Sequence, residues 1–440
     1  MTCNDAISPL FTDLYELTMA AGYFEHGLNR TATFSVFTRD PLHTRGYFVA
    51  AGLETVLRAL ETLRFSGDDL DYLDTLDQFH KPFLDYLEAF RFSGSVTAMP
   101  EGTLFFPEEP ILEITAPMIE SQIAETFVLN TVGLASMIAS KAARCVHAAG
   151  DRSLVDFSLR RTQGRDAGFQ VARSSYVAGF SATSNVEAGK RLGIPVSGTM
   201  AHSFVTAFPT ELEAFRAFAA TFPDHAVFLV DTYDTIEGAK NAAVVGREMV
   251  SRGEHPVGVR LDSGDMGALS REVRTILDEA GLEEMKIFAS SGFDEFKIDR
   301  VLASDAPIDA FGVGTSMGVS ADAPFMDIVY KLVRFDGRNI RKLSPGKTTL
   351  AGEKQVFRFL DGDGAMHHDV IARRDESMTG GRPLLRQVMG NGRPLSAPPT
   401  LEDIRNRFDS AFGRLPAPYK RLVDPEGFPV RLSDALSAIQ

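Results

Sequence analysis

A single histidine and a short series of acids and arginines stand where apolar runs of this sequence give way to small or polar residues. His202 closes VSGTMAH, three residues after Thr199; Asp231 lies in LVDTYDT; Arg260 and Asp262 share GVRLDSGD. Asp156 precedes Arg160 and Arg161 in DFSLRRTQG. Two loops complete the set: Ser290, Ser291 and Gly292 in SSGFDEFKI, and Gly312, Gly314 and Thr315 in FGVGTS. Glycine loops that open a helix bind phosphate through backbone N–H groups. Arginine forks hold phosphate or carboxylate in bidentate geometry, and neighbouring carboxylates such as Asp231 and Asp262 can hold Mg²⁺ that is shared with substrate phosphates. Together these residues suit a polyanionic substrate, most simply a sugar phosphate or pyrophosphate.

Each has a plainer reading in isolation. A lone histidine among small residues often sits half-buried, donating to a carbonyl. Asp262 or Ser263 could cap a helix by accepting from first-turn amides. FGVGTS matches the first half of a dinucleotide fingerprint but lacks its third glycine and downstream acid. Arg160 and Arg161 could be solvated, although an arginine pair directly after a buried strand is costly to leave without an anion. The chemical reading gains because the candidates recur at successive element ends.

The elements that must position them are short β-branched or apolar runs: SLVDF (153–157), PVSGT (195–199), AVFLVD (226–231), VGVRLD (257–262), KIFASS (286–291) and DAFGVG (309–314). Helix-like stretches such as ELEAFRAFAATF and MGALSREVRTILDEAG lie between the later ones. Alternation of this kind predicts parallel strands with helical crossovers, whose chemistry gathers at the strands' carboxyl ends. The predicted fold is α/β, an irregular barrel of about six to seven parallel strands, with an open doubly wound sheet as the alternative. Residues 131–325 would form this catalytic domain. Residues 1–130 mix helices and short strands, and after 325 FMDIVYKLVRFDGRNIRKLS reads as antiparallel strands around a DG turn. Residues 326–440 are therefore expected to pack with 1–130 as an α+β domain.

At 440 residues the chain can bury a large core, and its net charge of −14 argues against a broad nucleic-acid-binding face. No apolar run approaches the roughly 20 residues of a membrane span. MTCNDAISPLFTD has no basic stretch followed by an apolar one, so no export leader is expected. Two cysteines, Cys3 and Cys145, fit neither a disulfide framework nor a zinc site. These features predict a reduced, cytoplasmic protein without a membrane partner.

In order along the chain, TDLYELTMAAGYF (12–24), DFSLRRTQG (156–164), GFSATSNVEAGKRLGIPVSGTMAHSF (179–204), LVDTYDT, GVRLDSGD, SSGFDEFKI and FGVGTSMGVS (311–320) resemble the successive signatures of nicotinate phosphoribosyltransferases, in the type II phosphoribosyltransferase family. The resemblance implies an ATP-dependent ligase of NAD biosynthesis that joins nicotinate to the ribosyl carbon of phosphoribosyl pyrophosphate (PRPP). It implies ATP as co-substrate, Mg²⁺ as cofactor and a phosphohistidine at His202, with Asp231 orienting the imidazole or holding the metal. Arg260 and Asp262 would line the PRPP site, and the loops at Ser291–Gly292 and Gly312–Thr315 would hold its 5-phosphate. Arg160 and Arg161 would take anionic groups, and Tyr15 would reach across a homodimer to stack on the pyridine. Ser158, Thr162 and Ser181–Ala182 depart from the family pattern. Ser184 stands where nicotinamide-using relatives carry an acid; a hydroxyl does not repel a carboxylate, so it favours nicotinate.

The alternatives are the nicotinamide or quinolinate enzymes, a sugar-phosphate barrel lyase or isomerase, and a non-catalytic nucleotide-binding relative. The loop bearing His202 argues against the quinolinate enzyme. The lack of a strand-end lysine in 150–315 argues against a Schiff-base lyase, and the joint presence of Tyr15, His202, Arg260 and Asp262 argues against a silent relative.

Overall fold

The computed structural model describes residues 7–39, 45–344 and 348–440. Cys3 lies outside them. The chain divides into two compact units, Met1–Ser140 with Phe325–Gln440, and Lys141–Pro324.

The unit formed by Lys141–Pro324 is built on six parallel strands: β1 (Ser153–Asp156), β2 (Ala182–Thr183), β3 (Val227–Leu229), β4 (Gly258–Leu261), β5 (Lys286–Ala289) and β6 (Ala310–Val313). Their order is β2-β1-β6-β5-β4-β3, with Val155 opposite Ala182 and Gly312, and Val259 opposite Ile287 and Phe228. β3 and β6 are buried along their whole length, as expected for strands covered on both faces. The pattern explains itself locally: strands of two to four mostly apolar residues are long enough only for the core layer, and polar residues take over where each strand emerges.

One expected strand is corrected. PVSGT makes a single parallel bridge, Val196 to Thr183, and the strand beside β1 is Ala182–Thr183 instead. Pro195 offers no N–H and Gly198 resists extended order, so the segment exchanges only two backbone hydrogen bonds with Thr183. Among the described residues, no ladder joins this segment to β3, so the hydrogen-bonded sheet has six strands and a bridge.

In the other unit the two chain ends interleave in one seven-stranded sheet. Thr31–Thr38 lies between Ile328–Phe335 and Leu112–Pro117, antiparallel to both. Ile328–Phe335 turns back to Arg338–Asn339 through Asp336 and Gly337, both at positive φ (49° and 79°), the primed turn that the DG pair predicts. Lys354–Leu360 and Met366–Arg373 form a second antiparallel pair. Phe34 stacks on Tyr330 with ring centroids 4.6 Å apart, in a core contributed by both segments.

The helix Glu125–Ala149 is long and apolar enough to cross a membrane, which the sequence reading did not anticipate, but 72% of its most apolar window is buried within the protein. It also carries Lys141 and Arg144, both buried against Glu295. It is a core helix.

Candidate active site

The acids at the strand exits separate into two jobs. In LVDTYDT, Asp234 caps the helix Thr235–Ser251, accepting from the amides of Ile236 and Glu237. In RLDSGD, Asp265 caps Met266–Glu279, and after β5 Asp294 caps Glu295–Leu302. The cap expected of Asp262 or Ser263 thus falls to Asp265, three residues beyond Asp262. Asp231 and Asp262, each three residues before a cap, are left for other work.

Arg260, at the end of β4, ties the cluster together. Its Nε donates to Ser290 Oγ (2.8 Å) and one terminal nitrogen to Thr199 Oγ1 (2.9 Å) and the Met200 carbonyl (3.2 Å). The other terminal nitrogen donates to Asp262 Oδ1 at 3.0 Å, and the guanidinium lies 5.5 Å from the Phe157 ring centroid. Ser290 also donates to Asp262 Oδ1. Burial pushes the Asp262 carboxyl up, but the hydrogen bonds from Ser290 and Arg260 and the Arg260 charge outweigh it, holding the group below its ordinary value.

His202 opens the short helix His202–Thr206 and is half-exposed. Its Nδ1 lies 3.1 Å from Thr232 Oγ1, and its Nε2 lies 3.8 Å from Asp262 Oδ2. The carbonyl contact of the plainer reading is absent from its hydrogen bonds. So is Asp231, whose Oδ2 accepts from the Asp262 amide (3.1 Å) and Ser263 Oγ (2.5 Å). The other Asp231 oxygen is buried with no hydrogen-bond partner. An anionic oxygen in that state fits a cation shared with substrate phosphates, the habit of Mg²⁺; among the described residues no group of three or more acidic, histidine or cysteine ligands forms a closed cage.

The remaining candidates fall into place unevenly. Ser291 (φ 84°) and Gly292 (φ 61°) are exposed at the β5 exit, and the Ser291 carbonyl accepts from Lys297 Nζ at 2.7 Å. Gly314 and the exposed Thr315 lead into the short helix Thr315–Gly318. Gly312 is buried inside β6, where a Cβ would meet the Phe157 ring at 2.5 Å, so its smallness serves packing. Arg160 and Arg161 are exposed on the turn Leu159–Arg161, which removes the burial cost that favoured an anion there. Asp156 is buried, accepting from the Ser158 amide (2.9 Å) and Thr183 Oγ1 (2.8 Å), and burial pushes its carboxyl up despite these bonds. Ser184 is half-buried beside it, its amide donating to the Asp156 carbonyl. Tyr15 belongs to the other unit, half-exposed at the start of Leu14–Glu25, and burial and the Glu125 carboxylate push its phenol up. The sequence reading missed Thr232 altogether, although it directly follows Asp231.

The whole chain has close relatives of known family. Models of the nicotinate phosphoribosyltransferase N-terminal domain, family and C-terminal domain match residues 10–133, 152–349 and 378–440. A nicotinate phosphoribosyltransferase of Mycobacterium tuberculosis is 46% identical over 99% of this chain and 94% of its own length. The chain belongs to the nicotinate phosphoribosyltransferase family. A Bacillus subtilis nicotinate phosphoribosyltransferase is 39% identical over 98% of this chain and 94% of its own. The crystal structure of human nicotinic acid phosphoribosyltransferase superposes with a TM-score of 0.89 at 30% identity, covering 97% of this chain and 99% of that one. The match to the nicotinate phosphoribosyltransferase family model at 152–349 contains every strand exit described above.

Proposed function

We propose that this chain joins nicotinate to the ribosyl carbon of PRPP, giving nicotinate mononucleotide and pyrophosphate, and that ATP drives turnover through a phosphohistidine at His202. The observation that carries the reading is the Arg260 network: one guanidinium joins the loop before His202, the β5 exit and Asp262, while His202 stands between Thr232 and Asp262.

In the transfer, the pyridine nitrogen forms its bond to the ribosyl carbon as the carbon–oxygen bond to pyrophosphate breaks, the electron pair leaving with pyrophosphate. Little proton transfer is needed; the protein must align both partners and meet the charge of the leaving group. Arg260 supplies a fixed fork for it, and the backbone at 290–292 the amides for a phosphate. Asp262, held ionised by Arg260 and Ser290, keeps the guanidinium in place. Asp231 would hold Mg²⁺ through its unpartnered oxygen, with Asp262 beside it; the ion supplies positive charge against the phosphate oxygens. Ser184 leaves the substrate carboxylate unopposed. We further propose a cytoplasmic homodimer with Tyr15 contributed across the subunits.

The test is product formation from PRPP and Mg²⁺ with nicotinate, nicotinamide and quinolinate side by side. Nicotinate turnover that ATP stimulates is expected; equal or faster turnover of nicotinamide or quinolinate would sink the substrate assignment.

A further inference from the structure

We infer that Lys297 is the positioning residue of the phosphate loop at the β5 exit: its ammonium grips the Ser291 carbonyl and thereby aims the Gly292 amide at the 5-phosphate of PRPP. The inference rests on the PRPP reading above and names the side chain that prepares the loop.

The loop needs such a grip. Ser291 stands at φ 84° and Gly292 at φ 61°. A serine in the left-handed region is strained and persists only where its surroundings hold it. Gly292 accepts either sign of φ, so it does nothing to fix the peptide plane between the two. The amides of Ser291, Gly292 and Phe293 meet no acceptor among the described residues. Successive unpaired amides in a turn make a concavity for an anion, provided that each is held in one direction.

Lys297 supplies that constraint. Its Nζ donates to the Ser291 carbonyl at 2.7 Å and lies 4.5 Å from the centroid of the buried Phe293 ring. That ring is itself held, edge-on to Phe311 of β6. No carboxylate pairs with the ammonium among the described residues, so the carbonyl and the ring are what hold it. The Lys297 backbone is fixed as well: its amide donates to the capping Asp294 (2.8 Å), and Glu295 in the same turn is buried against Lys141 and Arg144.

The consequence for the loop follows from the peptide unit. In a trans peptide the C=O and the following N–H point in opposite directions. A cation on the Ser291 oxygen therefore turns the Gly292 N–H away from itself, and Gly292 is exposed. The same cation polarises the peptide, which strengthens that N–H as a donor. The 5-phosphate lies away from the bond that forms, so this contact is equal before and during transfer. Its loss then falls on binding rather than on turnover.

The experiment measures steady-state kinetics for wild type, Lys297→Met and Lys297→Arg. Beside it runs calorimetric binding of ribose 5-phosphate, which carries the phosphate without the pyrophosphate. Methionine removes the charge and the donor; arginine restores both. Lys297→Met should raise KM for PRPP and weaken ribose 5-phosphate binding by about 10-fold each, the scale of one lost charged hydrogen bond. In that variant kcat and KM for nicotinate should stay within about twofold of wild type. Lys297→Arg should recover PRPP and ribose 5-phosphate to within about threefold of wild type. Wild-type KM for PRPP in Lys297→Met, or a loss spread equally over kcat and both substrates, would overturn the inference while leaving the proposed function standing. Wild type that makes no nicotinate mononucleotide would overturn that function, and the ribose 5-phosphate comparison would still decide the inference.

Discussion

Arg260 shows at the scale of one residue why this site needs a planar fork. Four acceptors surround it in three directions: Ser290, Thr199 with the Met200 carbonyl, and Asp262. A lysine carries the charge but only one nitrogen and cannot span these directions. Arg260→Lys should lower kcat/KM for PRPP by about 100-fold, or ~2.7 kcal/mol, with the melting midpoint nearly unchanged. A loss of less than threefold would mean that the fork is scaffolding alone. At this scale residue type singles out His202, Arg260, Asp231 and Asp262, and the structure brings them to neighbouring strand exits. The sequence was silent on Thr232, because a threonine after an apolar run is ordinary and its meaning comes from an imidazole 30 residues away. It also misassigned the cap: the acid three residues after Asp262 was available in the same motif, and the repeated spacing of 231/234 and 262/265 was the signal that could have shown it.

At the scale of elements, the strand exits depend on what anchors the helices behind them. Glu295, the first residue of Glu295–Leu302, is fully buried between Lys141 (2.5 Å) and Arg144 (2.8 Å), and Lys141 also pairs with Asp322 at 2.7 Å. The helix after the Ser291–Gly292 loop is thereby pinned by its first turn. Taking charges out of water is costly, and removing one partner leaves the others uncompensated. Glu295→Gln should cost about 3–5 kcal/mol in urea unfolding, the scale known for broken buried pairs. Unchanged stability would show that water reaches the cations. Cys145 lies beside this cluster, where burial pushes its thiol up, in keeping with an inert core cysteine. None of this is readable in SSGFDEFKI, because the partners of Glu295 sit more than 150 residues earlier. The failure of PVSGT as a strand is different in kind: Pro195 and Gly198 stand within it and outweigh its β-branched residues.

At the scale of the whole molecule, the chain's two ends meet in one antiparallel sheet, foreshadowed by FMDIVYKLVRFDGRNIRKLS and its DG turn but not in its strand order, which rests on pairings about 300 residues apart. Glu16 belongs to this unit. It is fully buried, accepting from Thr12 Oγ1 and from the amide (2.9 Å) and hydroxyl of Thr126. Burial outweighs these bonds and pushes its carboxyl from 4.5 up to about 7. The folded state therefore holds this proton more tightly than the unfolded chain does. The stability it contributes is full below about pH 4.5 and is lost as the pH rises through about 7. The melting midpoint of wild type should show this fall between about pH 5 and 8, and Glu16→Gln should flatten that part of the profile. An identical slope in both proteins would mean that Glu16 does not titrate there.

The most direct measurement of the central claim is the transfer of label from γ-labelled ATP to wild type and to His202→Asn. Wild type should acquire about one acid-labile phosphoryl group per chain, and His202→Asn none, while keeping some transferase activity uncoupled from ATP. Undiminished labelling of His202→Asn would place the phosphoryl acceptor elsewhere and contradict the account.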